Sequence, residues 1–117
     1  MLTMEKCLFC KFISGEIPVK KVFEDEQLIV IEDIAPVAPV HLLIISKKHI
    51  VNSLDLNPDD TVLVGHVFQV AAKLARELGV ADQGFRIVNN TNAGAGQSVF
   101  HLHFHLLAGR GFHWPPG

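Results

Sequence analysis

The stretch His101-Leu102-His103-Phe104-His105-Leu106-Leu107 decides how the rest of the chain is read. Imidazoles alternate with apolar residues, a period of two that an extended strand sorts onto two faces. On such a strand His101, His103 and His105 share one side, roughly 7 Å apart in successive pairs, while Leu102, Phe104 and Leu106 face a core. A merely solvated strand face would use Thr, Lys or Glu instead. An affinity tag would not alternate, and ten further residues follow this stretch. Histidine is largely neutral near pH 7 yet protonatable, so a row of three supplies a nucleophile, a proton donor and an orienting partner. That set suits attack at phosphorus; a catalytic metal on the same imidazoles is the competing use.

Working outward, Asn90-Thr91-Asn92-Ala93-Gly94-Ala95-Gly96 is a glycine-rich loop between a strand over Phe85–Asn89 and the histidine strand over Val99–Ala108. Gly94 and Gly96 would let backbone N–H groups approach an anion, with Gln97 and Ser98 adding side-chain donors. No Gly-Lys-Ser/Thr follows, so this is not a P-loop, and an ordinary inter-strand turn is the alternative. Asn57-Pro58-Asp59-Asp60 starts a long helix by an N-cap, a proline at the first position and acids in the first turn. Leu63, Val67, Val70, Leu74 and Leu78 give that helix its apolar stripe, and Gly79 ends it. Val19–Glu24 and Leu28–Ile34 read as a hairpin, Ala35–Pro39 as a loop, His41–Ser46 as a strand, and Leu8–Ser14 as a short helix closed by Gly15. Strands in runs with one long helix predict an α+β fold with a mostly antiparallel sheet.

The chain has 117 residues, 49% hydrophobic, enough for one globular domain over residues 1–117 without internal boundary or repeat. A formal charge of −2 excludes a basic field for nucleic acid. No apolar run reaches a membrane span, and MLTMEKCLFCKF lacks the pattern of a secretory leader, which predicts a cytoplasmic protein. The two cysteines, Cys7 and Cys10, are three apart and suggest a metal clip or a redox pair. A thioredoxin-like use fits poorly, because Lys11–Gly15 cannot supply the long helix that such a motif opens.

HLHFHLL resembles the His-X-His-X-His-X-X signature of the histidine triad (HIT) superfamily. The stretches CLFCKFISGEIPVKKVFEDE, IEDIAPVAPVHLLIISKKHI, FRIVNNTNAGAGQSVFHLHFHLL and HWPPG are similar to its Hint branch, so the resemblance covers nearly the whole chain. It implies a five-stranded antiparallel sheet with one long helix and a short N-terminal helix, continued across a homodimer. The implied activity is hydrolysis of nucleoside 5′-phosphoramidates, purine preferred, through a nucleotidyl-histidine intermediate. Hydrolysis of dinucleoside polyphosphates or adenylylated substrates is the alternative, and a nucleotide-binding regulatory partner with little turnover is another.

By the same resemblance His103 is the nucleophile, His105 contacts the α-phosphate and leaving group, and Ser98 helps protonate the departing amine. His41 supports the triad, to which His101 also belongs. Asp33 meets ribose hydroxyls, Asn90 and Gly96 contact sugar and phosphate, and Leu8, Phe9, Phe12, Ile31 and Ile34 form the base pocket. With no acid near the triad in sequence, a backbone carbonyl is expected to fix the His103 tautomer. Cys7 and Cys10, completed by His49 and His101, match the family's structural zinc site, with a reduced thiol pair as the alternative; no organic cofactor is implied. His113 and Trp114 match a tail that reaches toward the partner protomer. Ala108-Gly109-Arg110 departs from the branch, which commonly has two glycines before the arginine.

Overall fold

Leu28-Ile29-Val30-Ile31 and Leu42-Leu43-Ile44-Ile45 are apolar at consecutive positions, and such runs need cover on both faces of a sheet. The computed structural model, which describes residues 6–117, supplies that cover. Its elements are α1 (Leu8–Ser14), β1 (Phe23–Glu24), β2 (Leu28–Glu32), β3 (Val40–Ser46), α2 (Thr61–Glu77), β4 (Phe85–Val88) and β5 (His103–Ala108). The five strands form one sheet in the order β1-β2-β3-β5-β4, antiparallel throughout. The reading of residues 1–5 as lacking a leader lies outside the described residues. Among the described residues no helix is long and apolar enough to cross a membrane.

One face carries Leu28, Val30, Leu42, Ile44, Phe104 and Leu106 against Leu63, Val67, Val70, Ala71 and Leu74 of α2. Truncating a ring such as Phe104 there would cost about 3–5 kcal/mol. The other face carries Ile29, Ile31, Leu43 and Ile45, which pack with Cys7 and Phe9 of the α1 segment. Register ties the histidines to this second face, since Leu43 pairs with His105 and Ile45 with His103.

The start of α2 is modified from the expected form. Pro58–Asp60 makes a 3₁₀ turn before the helix proper, held by a capping box in which the Asn57 side chain accepts from the Asp59 N–H and Asp60 accepts from the Asn57 N–H. Lys48 pairs with the buried Asp60 at 2.7 Å. Leu78, expected on the buried stripe, is 47% exposed because it caps the helix past the sheet contact.

Three strands are shorter by two or more residues than the sequence suggests, and β4 is shorter by one, ending at Val88. Only Phe23–Glu24 pairs as β1, because Val19 turns away from the sheet edge to pack against the α1 side. β2 stops at Glu32, where the Asp33 carboxylate accepts the Ala35 N–H and turns the chain, leaving Ile34 fully exposed. β5 begins at His103, not Val99. Leu102 leaves the regular ladder, donating to Ile50 O and accepting from Ser46 N.

Candidate active site

β5 holds the centre of the site and the elements on each side decide the state of each imidazole. His103 directs Nδ1 at the His101 carbonyl, 2.7 Å away. A carbonyl only accepts, so Nδ1 carries the proton and Nε2 keeps a lone pair. Asn89 Nδ2 donates to the His103 carbonyl at 2.9 Å and holds the strand from β4's end. Burial pushes the His103 imidazole below the usual histidine range, opposed by the His101 carbonyl and the Asp33 charge. The ring is therefore neutral near pH 7.

His105 is set the opposite way, through His41. The Val37 N–H donates to His41 Nδ1 at 3.1 Å, which leaves the His41 proton on Nε2. That Nε2 lies 2.9 Å from His105 Nδ1 and 3.3 Å from Asp33 Oδ2. His105 Nδ1 accepts, so its own proton sits on Nε2. Burial, with His103 and His41 alongside, holds the His105 imidazole down at about 4 against the pull of Asp33. Two neighbouring rings, 5.2 Å apart between centroids, thus carry opposite tautomers: a lone pair on one Nε2 and a proton on the other.

A cavity of about 310 Å³ opens over these rings. Leu8, Phe9, Phe12, Ile31 and Ile34 line it together with Asp33, Ser98, His103 and His105. Ser98 is exposed, and its Oγ has no protein partner among the described residues. Asn90 and Gly96 are beside each other but outside this lining, with Asn90 Nδ2 3.8 Å from where a Gly96 Cβ would stand. Gln97 corrects an expectation. It is buried, and its amide donates to Val51 O and Val99 O and accepts from Asn92 N, so it braces the loop from inside instead of meeting an anion. The N–H groups of Ala95, Gly96 and Gln97 are likewise spent within the loop, on Asn92 O and Ala93 O.

The remaining triad histidine belongs to a second cluster. His101 is fully buried and its Nε2 donates to Ser46 O at 2.6 Å, which leaves the Nδ1 lone pair free. That Nδ1 is 3.2 Å from Cys7 Sγ, 3.6 Å from Cys10 Sγ and 3.0 Å from His49 Nδ1. Cys10 Sγ is 3.2 Å from His49 Nδ1. Tetrahedral zinc with thiolate and imidazole ligands has ligand-to-ligand edges of roughly 3.3–3.8 Å, so the four donors already stand close to that shape. Burial, reinforced by Cys7, pushes the Cys10 thiol up to about 11, and burial pulls His101 down to about 4. The donor set fits a divalent zinc ion, and Cys7, Cys10, His49 and His101 are the residues that would hold it.

The tail is anchored although it lies at the chain's end. Phe112 is held between Arg110 and Arg86, at 4.4 and 5.1 Å, and Arg86 donates to His113 O. Trp114 beyond it is 85% exposed. At the departure in Ala108-Gly109-Arg110, Ala108 sits fully buried in regular strand. Gly109 has φ +91°, and a Cβ there would fall 2.8 Å from Pro39 Cβ, so this is the glycine the turn requires.

An antiparallel sheet whose last strand lines imidazoles along a cavity, roofed by a short cysteine-capped helix, defines a histidine-triad domain. The chain belongs to the HIT family, whose HIT domain matches residues 14–112. It is 46% identical over 113 residues to an uncharacterized HIT-like protein from Synechocystis sp., covering 97% of this chain and 98% of that one. A HIT family hydrolase from Legionella pneumophila Philadelphia 1 superposes with a TM-score of 0.93 at 51% identity, covering 96% of this chain and all of the other. A Zn-bound histidine triad family protein from Mycobacterium smegmatis superposes at 0.79 and 33% identity, over 98% and 82% of the two chains.

Proposed function

We propose that this protein is a Hint-branch hydrolase that cleaves the P–N bond of nucleoside 5′-phosphoramidates, with adenosine or another purine preferred. The observation that carries the reading is the pair of opposed tautomers on His103 and His105 beside an apolar cavity. His103 Nε2 attacks the α-phosphorus, a P–Nε2 bond forms, and the P–N bond to the leaving amine breaks. His105 Nε2–H donates to the phosphoryl oxygens and the leaving group, and the anion's charge raises the affinity of that imidazole for its proton. Ser98 Oγ–H, without another partner among the described residues, helps deliver a proton to the departing amine. Water then attacks the nucleotidyl-histidine, giving AMP and restoring His103.

Asp33 would accept from ribose hydroxyls, Asn90 would contact sugar and phosphate with Gly96 packed beside it and its N–H kept on Ala93 O, and Phe9 and Ile34 would line the base pocket. Zinc, when bound, supplies a closed structural tie among four donors and leaves the phosphorus chemistry to the histidines. Assembly as a homodimer is supported by β4 at the sheet edge and by Val62, Phe68 and Phe85, which are exposed although apolar. Hint-branch membership is supported by the HWPPG sequence, whose first residue is held through its carbonyl by Arg86. A single domain over 1–117 acting on small nucleotides in the cytoplasm, away from nucleic acid and membrane, completes the reading.

The test is release of AMP from adenosine 5′-phosphoramidate. His103→Ala should lower turnover by at least about 10³-fold with an unchanged circular dichroism spectrum. Retained turnover in the variant, or none in the parent, would overturn the assignment.

A further inference from the structure

The two clusters described above share two residues. His101 has its side chain in the cysteine cluster and its carbonyl on His103 Nδ1. Phe9, 3% exposed, sets its ring edge-on to both His101 and His103, with centroids 5.8 and 5.1 Å away and interplanar angles of 72° and 89°. Phe9 also forms part of the cavity wall, as do Leu8 and Phe12 from the same helix.

That helix is not self-supporting. α1 has seven residues, far below the roughly 12–15 at which an isolated helix becomes even marginal in water. Its N-cap is Cys7, whose Sγ accepts the Cys10 N–H at 3.4 Å, so the residues that start the helix are those of the metal cluster. Their opposite numbers, His49 and His101, lie beyond β3 and just before β5. A divalent ion on these four donors would tie the cavity's helical wall to the strand that carries the nucleophile.

We propose that zinc and nucleotide bind cooperatively, zinc in the cysteine cluster fixing α1 and the His101 carbonyl, and nucleotide in the cavity packing back on Phe9. The inference rests on the proposed occupants of both sites, and adds that neither site is independent of the other. Coupling between sites is reciprocal, so zinc must raise nucleotide affinity by the same factor that nucleotide raises zinc affinity. Phe9 is a positioning residue in this scheme. A helix held fully by its apolar contacts with Ile29, Ile31 and Ile45 would instead give no coupling.

The experiment measures zinc affinity by competition with a chromophoric chelator, with and without saturating AMP. AMP affinity is then measured by calorimetry on zinc-loaded and chelator-stripped protein. We expect AMP to tighten zinc about 5- to 20-fold and zinc to tighten AMP by the same factor, within the usual range for linked sites. Phe9→Leu, with AMP raised until calorimetry on the zinc-loaded variant shows it saturated, should keep zinc affinity in the absence of AMP within about threefold while its coupling factor falls toward one. Both values for this variant come from the zinc competition alone, so it is decided without calorimetry on stripped protein. Equal zinc affinity with and without AMP, or an undiminished factor in Phe9→Leu, overturns the coupling while both sites stand. Failure of zinc-loaded protein to bind AMP would bring down the nucleotide reading itself, and absence of zinc binding would bring down the metal cluster. The two are separable because each site is titrated directly.

Discussion

Four positions separate His101, just before β5, from His105 within it, and the two rings end in opposite states. His101 donates Nε2–H to the Ser46 carbonyl and turns a bare Nδ1 toward two thiols, with no solvent access at all. His105 accepts from His41 on Nδ1 and turns Nε2–H toward an open cavity. Residue type, sheet face and charge state near neutral pH are the same. What differs is the group that occupies the second ring nitrogen, a carbonyl in one case and an N–H in the other. A histidine's chemistry at this site is therefore assigned by its neighbour, and the two ends of this histidine row can be broken separately.

Breaking the cysteine end should have the largest effect. Cys10→Ser removes a thiolate from the set of four, and zinc measured by elemental analysis of protein purified without added metal should fall from near one per chain to below about a tenth. Melting temperature should drop by on the order of 10 °C. A parent protein that carries no zinc would erase the contrast between the two ends.

Breaking the other end should leave the metal alone. His41→Phe keeps a ring in place but removes the Nε2–H that holds the His105 tautomer, so kcat should fall on the order of 10²-fold while zinc content stays at the parent level. Unchanged kcat would show that His105 finds its orientation without His41.

The smallest effect is on stability against pH. His105 is held at about 4 in the folded chain, facing His41, His103 and Asp33, against an ordinary 6.5. Between pH 6.5 and 4 the unfolded chain takes up a proton that the folded ring refuses. Stability from keeping this ring neutral is therefore complete above pH 6.5 and is lost as pH falls toward 4. Urea titrations at pH 7 and 5 should show a smaller loss in His105→Gln than in the parent, and equal losses would sink this account of the ring.

Much of this was legible from the chain because the signals are local. The alternation in HLHFHLL fixes which residues share a face, and Asn57-Pro58 with Gly79 brackets the long helix to within a turn. What the sequence hid is long-range or made of backbone. The Val37 N–H that sets His41, the Ser46 carbonyl that sets His101 and the Asn89 amide that holds the His103 carbonyl are generic groups placed by topology. Gln97 reads as a ligand donor because it follows the glycine-rich loop, yet its amide is buried and turned inward. His66 had no visible purpose until the fold brought it within 2.5 Å of Asp25, 41 positions away, where it ties α2 to the β1–β2 turn.

The exposed indole at the end of the anchored tail has an optical consequence. Trp114 is the only tryptophan of the chain and there is no tyrosine, so absorption and emission excited near 295 nm come from one ring. Its water-exposed position sets a long-wavelength emission maximum for the lone protomer. Anything that covers the tail would shift that light to the blue against a dark background, giving a label-free readout of association already built into the protein.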